Sequence, residues 1–397
     1  MTDFPIYLDH AATTPLRPEA LEAMLPLLGD NFGNPSSPHG TGRRARAALD
    51  EARERLARSL NAEPREIILT SSGTEAINLA LKGVAWAAKA RGNRIITSAV
   101  EHHAVLHALG HLEKFGFEIV HLPVDRYGRL DPEHLASELN ERTILVSLLL
   151  ANNEVGTLQP MTELVRRIRE HPGVAIHVDA VAAAAHVPLD VHALGVDLLS
   201  LAAHKFEGPK GVGLLYLRRG TVILPQLQGG SQERYRRAGT ENVAGAVGMA
   251  VAYDLAVRER AESSARLIRL RDRLRDAVLG VPGVELTGHP RRRLPGHLSI
   301  IARDAEGEAM VLALDMEGLH ASVGSACTTG SLEPSHVLTA MGYPDDEARG
   351  SLRLSLGRTT SEEQIDRAVK VVPSIIARLR AASSVVALDP LGEGVRA

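Results

Sequence analysis

The chain has 397 residues, 44% hydrophobic and 23% charged, so it can bury an extensive core and is not an intrinsically disordered protein. That length exceeds one typical core, and two unequal domains are expected. With 45 basic and 48 acidic residues the net charge is −3, which excludes a dominant basic footprint for direct nucleic-acid binding, and no apolar run reaches the roughly 18 to 20 residues of a membrane span.

In chain order, Met1 to Thr14 lacks the basic-then-apolar pattern of a secretory signal. From about residue 40 to 250, short apolar runs alternate with segments whose apolar spacing is near 3.6. Residues 67–69, 94–97, 118–122, 143–150, 174–178, 198–201 and 212–217 read as buried strands, and 43–60 and 75–90 as helices between them. Such alternation predicts an α/β fold with a mostly parallel sheet covered on both faces. Residues 241–279 form a long Ala/Arg/Glu-rich helical stretch. Strands at 297–302 and 352–356 and helices near 306–316 and 361–381 follow. The expected organisation is a large domain over 15–255, a smaller α+β domain built from 1–14 and 256–382, and a flexible tail over 383–397. The basic runs at Arg43-Arg44, Arg234 to Arg237 and Arg291 to Arg293 read as solvated faces.

Several local patterns carry chemistry. Residues 68–75 run from a strand through Thr70-Ser71-Ser72-Gly73-Thr74 into a helix, a turn that aims backbone N–H groups at an anion or merely caps the helix. Asp179 closes the strand at 174–178, where a carboxylate can pair with a protonated ring nitrogen or simply serve the turn. Lys205 follows His204 on a loop after a buried strand, in a Gly/Pro-rich setting that suits an imine-forming amine; Lys210 is the nearby rival. Cys327 is the one thiol, so no intrachain disulfide can form and a reducing cytoplasm is the expected setting. Its surroundings, Gly324-Ser325-Ala326-Cys327-Thr328-Thr329-Gly330-Ser331, are small and turn-forming, as in an exposed loop. A buried apolar cysteine is the plainer alternative.

Taken together, these pieces resemble the fold-type-I enzymes that use pyridoxal phosphate (PLP). Tyr7-Leu8-Asp9-His10-Ala11-Ala12-Thr13-Thr14, Phe32-Gly33-Asn34-Pro35-Ser36-Ser37, Glu101-His102-His103-Ala104-Val105-Leu106, Asn152-Asn153-Glu154-Val155-Gly156, Arg237-Ala238-Gly239-Thr240 and the Cys327 segment are similar to the NifS/IscS-type cysteine desulfurases of the class-V aminotransferase family, in the family's order. The resemblance implies that Gly73, Thr74 and His204 hold the cofactor phosphate, and that Thr240 reaches the phosphate of a neighbouring subunit in a homodimer. It implies further that His102 stacks on the ring, Asp179 pairs with the ring nitrogen, and Lys205 bonds the cofactor. The resemblance also implies that Asn153 contacts the cofactor ring or the substrate, and that Asn34, Asn153 and Arg353 bind the substrate, L-cysteine, with Arg353 clamping its carboxylate. By the same resemblance Cys327 would receive the sulfur as a persulfide and pass it to an acceptor protein docking near its loop, and His102 would be a candidate acceptor for the thiol proton. No metal is implied. Iron–sulfur cluster assembly, tRNA thiolation and DNA phosphorothioation all use enzymes of this type.

Two positions depart from the family's pattern. Ala182 stands where a Gln is usual, three residues after Asp179, and Ala202 where a Ser is usual, three residues before Lys205. Both changes remove a hydrogen-bonding side chain from the cofactor. The competing readings are another fold-type-I activity, such as an aminotransferase or a selenocysteine lyase, and a sulfur-carrier or scaffold protein acting through partner binding.

Overall fold

The structure, a computed structural model, describes residues 5–324 and 334–388. Seven strands pair in the order Ile67–Thr70, Gly213–Leu217, Leu198–Ala202, Ala175–Asp179, Thr143–Leu149, Arg94–Ser98 and Glu118–Leu122, the last a half-exposed edge. Gly213–Leu217 runs antiparallel to both its neighbours, and the remaining strands share one direction. The reversal has a simple cause. The short link from Ala202 to Gly213 cannot carry the crossover that a parallel pairing demands, so the chain turns back on itself.

Helices cover the sheet because their apolar residues fall on one stripe. Gly40–Leu60 buries Ala45, Leu49, Ala52, Leu56 and Leu60, a 3.6-residue repeat. Gly73–Ala88 is capped by Ser72, whose hydroxyl accepts from the Glu75 N–H at 3.1 Å. One sheet face packs Ile96, Val146, Ile176 and Val178 with the Gly40–Leu60 helix, and the other packs Ile68, Ile95 and Leu145 with the Gly73–Ala88 and His103–Glu113 helices.

A second core gathers Leu298, Ile300, Leu352 and Leu354 from an antiparallel three-stranded sheet of Ser351–Ser355, His297–Ala302 and Val284–Leu286. Ile6 and Leu8 join it, because the strand Ile6–Tyr7 pairs in parallel with Leu319–His320. The 37-residue helix Val243–Leu279, about 55 Å long at 1.5 Å per residue, serves both cores. Its early residues Val243 to Tyr253 face the large sheet, and Leu267, Leu270, Leu274 and Val278 face the small one. The domain boundary expected near residue 255 thus falls inside a continuous helix. The tail expected to loosen at 383 is helical as far as Leu388. Ala, Ser, Val and Leu fill that stretch, and the first Pro or Gly in it is Pro390.

One buried ion pair pins a strained loop to the sheet. Arg53 Nη1 and Nη2 donate to Glu233 Oε2 and Oε1 at 2.8 and 2.7 Å, and Glu233 Oε2 also accepts from the Leu69 N–H at 3.1 Å. Glu233, Arg234 and Tyr235 have φ of 46°, 57° and 64°, three successive left-handed residues that none of these side chains favours. Removing one partner of a buried pair leaves the other charge uncompensated. Glu233→Gln should therefore cost about 3–5 kcal/mol of stability. The urea midpoint of the variant checks this, and a midpoint equal to wild type would show that the pair holds nothing.

Candidate active site

A cavity of about 400 Å³ opens at the carboxyl-terminal edge of the parallel strands. Its lining includes Gly73, Thr74, His102, Asn153, Asp179, His204, Lys205 and Arg353. Asn34 and Thr240 are exposed and do not line it. Asn34 instead holds its own turn, accepting from the Ser36 N–H at 2.9 Å. Cys327 lies outside the described residues. Its flanks are described and reach the cavity: Gly324 O accepts from Arg353 Nη1 at 3.3 Å, and Ser335 Oγ donates to Glu154 Oε2 at 2.5 Å.

Asp179 is the last residue of its strand and 5% exposed. Burial pushes its carboxyl up to about 6, against the lowering by the Val181 N–H and by Lys205. Two residues back on the same strand face, His177 ties the neighbouring strands together, with its Nδ1 2.8 Å from Ser147 Oγ and its Nε2 2.8 Å from Ser200 Oγ.

Lys205 closes a short 3₁₀ turn after Leu198–Ala202, and its Nζ donates to the carbonyls of Ala11 and Ala12 at 2.5 and 2.9 Å. Its rival Lys210 is exposed and outside the cavity lining. His204 Nδ1 lies 3.1 Å from Thr13 Oγ1.

His102 caps the helix His103–Glu113, its Nδ1 accepting from the Ala104 N–H at 3.1 Å. Burial, then the charge of Lys205 and the neighbouring histidines, drive its pKa down to about 4. A neutral imidazole whose Nδ1 accepts must carry its hydrogen on Nε2, so His102 is set as a donor. That geometry differs from the proton-acceptor role considered for it from sequence.

Arg353 is 2% exposed. Its Nη1 donates to Asn153 O at 3.1 Å as well as to Gly324 O, and its Nη2 donates to Asp9 Oδ1 at 2.9 Å. Among the described residues its buried Nε has no partner.

These residues fit pyridoxal phosphate. A Cβ placed on Gly73 would stand 2.9 Å from Val181 Cγ2 and 3.3 Å from the Ala202 methyl, so the turn is a close-fitting cradle that only glycine allows. It opens on a helix N-terminus, the natural seat of a phosphate. A buried carboxylate, a primary amine and a guanidinium with an unpartnered N–H complete the donor set that a pyridinium, an aldehyde and an amino-acid carboxylate require.

Comparison with known proteins agrees. Residues 6–368 match the family described as Aminotransferase class-V. The chain belongs to the class-V aminotransferase family. It is 50% identical to the cysteine desulfurase IscS of Methanosarcina thermophila, over 94% of this chain and 93% of that protein. It is also 50% identical to the cysteine desulfurase IscS of Dictyoglomus turgidum, over 95% and 96%. Among solved structures, a NifS-like protein superposes with a TM-score of 0.89 at 37% identity, covering 94% of this chain and all of that one. DndA from Streptomyces lividans superposes with a TM-score of 0.75 at 37% identity, covering 88% and 99%.

Three lining residues of this class-V site escaped the sequence reading. Glu154, 4% exposed, sits beside Asn153 and holds Ser335. His103 and His336 meet at the cavity wall with ring centroids 4.7 Å apart. Glu154 and His103 stand inside motifs quoted from the sequence, but their partners Ser335 and His336 are remote along the chain, so the motifs do not show what they hold.

His177 generates a pH prediction. Burial lowers its pKa from 6.5 to about 3, so the fold holds it neutral while the unfolded chain takes up a proton near 6.5. Stability is full above pH 6.5 and is lost as the pH falls from there towards 3. Between pH 6 and 4 the stability of His177→Gln should fall less steeply than that of wild type, by on the order of 1 kcal/mol per pH unit. Urea titrations across that range check it, and parallel slopes would contradict it.

Proposed function

We infer that the protein is a cysteine desulfurase, taking sulfur from L-cysteine to give L-alanine and a persulfide on Cys327. The observation that carries this reading is the single cavity that brings Lys205, Asp179, His102 and Arg353 together, with both flanks of the Cys327 segment on its wall. Half-identical cysteine desulfurases support it.

Bound pyridoxal phosphate supplies an electron sink for a carbanion at the substrate Cα. The chain's own residues do the rest. Gly73, Thr74 and His204 would hold the phosphate, Asp179 would pair with the ring nitrogen, and His102 would lie against the ring. Lys205 would anchor the cofactor and, as a free amine, would take the Cα proton of the substrate. Arg353, with Asn153 beside it, would receive the carboxylate. The Cys327 thiolate forms a bond to the substrate sulfur as the Cβ–S bond breaks, and the carbon skeleton takes up protons and leaves as alanine. His102 Nε2–H is a donor on that side of the cavity.

The exposed Thr240 completes the phosphate site of a second copy, which makes the working unit a homodimer. Arg237, three residues earlier, is held by Glu75 at 2.8 Å, so the segment reaching outward is tied to this chain's own phosphate turn. An acceptor protein docks beside the Cys327 segment and takes the sulfur, and the acceptor's identity decides whether iron–sulfur clusters, tRNA or DNA receives it. Among the described residues no helix is long and apolar enough to cross a membrane. The reducing cytoplasm, where a lone thiol stays reduced, is the setting we propose.

Three variants test the reading. Lys205→Ala should lose both the visible absorption of the bound cofactor and alanine production, while Lys210→Ala keeps both. Cys327→Ser should still shift that absorption on adding cysteine, yet carry no persulfide by intact mass. Undiminished alanine formation by Cys327→Ser would sink the desulfurase assignment.

A further inference from the structure

The segment from Tyr7 to Thr14 meets Arg353, Lys205 and His204, three residues of the site. Asp9 forms a parallel bridge with Ser355, His10 N–H donates to Ser355 O at 3.2 Å, and Ala11 N–H donates to Ser355 Oγ at 2.8 Å. Its backbone is therefore pinned beside the strand that carries Arg353, and the Asp9 carboxylate reaches Arg353 Nη2. Further along, the Ala11 and Ala12 carbonyls accept from Lys205 Nζ, Thr13 meets His204, and Thr14 Oγ1 donates to His204 O at 2.9 Å.

The guanidinium has five N–H donors. Nη1 is engaged by the carbonyls of Asn153 and Gly324, and Nη2 gives one hydrogen bond to Asp9. Three protein oxygens thus fix the plane of the group and take three of its five N–H donors. Without Asp9 the two carbonyls alone would hold it, and both lie on the Nη1 end.

We propose that Asp9 is a positioning residue: by accepting from Nη2 it fixes the orientation in which the Arg353 guanidinium lines the cavity and meets the carboxylate of the amino-acid substrate. This proposal rests on the desulfurase reading for the identity of the substrate, but not for its test. Asp9 acts through a hydrogen bond from Nη2, so an amide oxygen in its place serves nearly as well.

The measurement is a titration of the cofactor-bound enzyme, followed by visible absorbance, with L-alanine and with ethylamine, the same molecule without its carboxylate. In Asp9→Ala the dissociation constant for L-alanine should rise about tenfold, the worth of one charge-assisted hydrogen bond, with ethylamine unchanged. The KM for L-cysteine should rise in step, with kcat much less affected. Asp9→Asn should stay within about threefold of wild type for both ligands, as expected for a neutral hydrogen bond replacing a charged one. Tighter or unchanged alanine binding in Asp9→Ala would mean that Asp9 competes with the substrate or stands aside, and would overturn the proposal. So would a parallel loss for ethylamine, which marks general damage, or an Asn variant as weak as the Ala variant. Wild type that binds alanine but releases no sulfur from cysteine would fail the desulfurase reading alone.

Discussion

Parallel pairing is the constraint on which the site depends. Each parallel strand must return across a face of the sheet before the next begins, so the carboxyl ends of Ile67–Thr70, Arg94–Ser98, Thr143–Leu149, Ala175–Asp179 and Leu198–Ala202 all open at one edge. The residues that follow those ends are Gly73-Thr74, His102, Asn153, Asp179 itself and Lys205. No local preference brings these together. The direction of the strands does, and the antiparallel Gly213–Leu217 is accommodated without disturbing it.

Buried polar groups then fix what the strand ends only approximate. His177 bridges two neighbouring strands just behind Asp179. Glu101, fully buried and pushed up to about 8 by that burial, accepts from Ser98 Oγ at 2.6 Å and from the Leu149 N–H at 3.0 Å, which ties the loop bearing His102 to the strand before Asn153. Such groups are costly unless satisfied, and once satisfied they allow few alternative packings. The second core contributes Arg353, and the strap from Tyr7 to Thr14 links that guanidinium to Lys205 across the junction of the two cores.

Both departures from the family pattern line this cavity. The Ala202 methyl packs beside Gly73, so the phosphate cradle is closed by contact rather than by a hydroxyl. Ala182 stands between the main cavity and a smaller one of about 90 Å³, and it lines both together with Ala11, Asn153 and Lys205. A short side chain there leaves the wall thin beside the amine. Neither change moves Asp179 or Lys205, whose positions are set by the strand and by the turn that follow from the sheet.

The sequence by itself determined the strands of the large sheet to within a residue, because buried parallel strands are continuous apolar runs, and it marked two of the covering helices, 43–60 and 75–90, to within three residues by their 3.6 repeat. It also singled out Lys205, Asp179, His102 and Arg353 as candidate site residues, since their motifs are contiguous. It did not mark the short strands Ile6–Tyr7, Leu319–His320 and Val284–Leu286, which are too brief to show a period. Only the tertiary structure decided that Asp9 meets Arg353 across 344 residues, that Glu154 holds Ser335 across 181, and that His102 Nδ1 caps the helix that follows it. A hydrogen bond depends on distance and angle between atoms. Where the partners are remote along the chain, those are fixed by how the two cores pack and by the residues that pin a segment between them, and no local pattern encodes them.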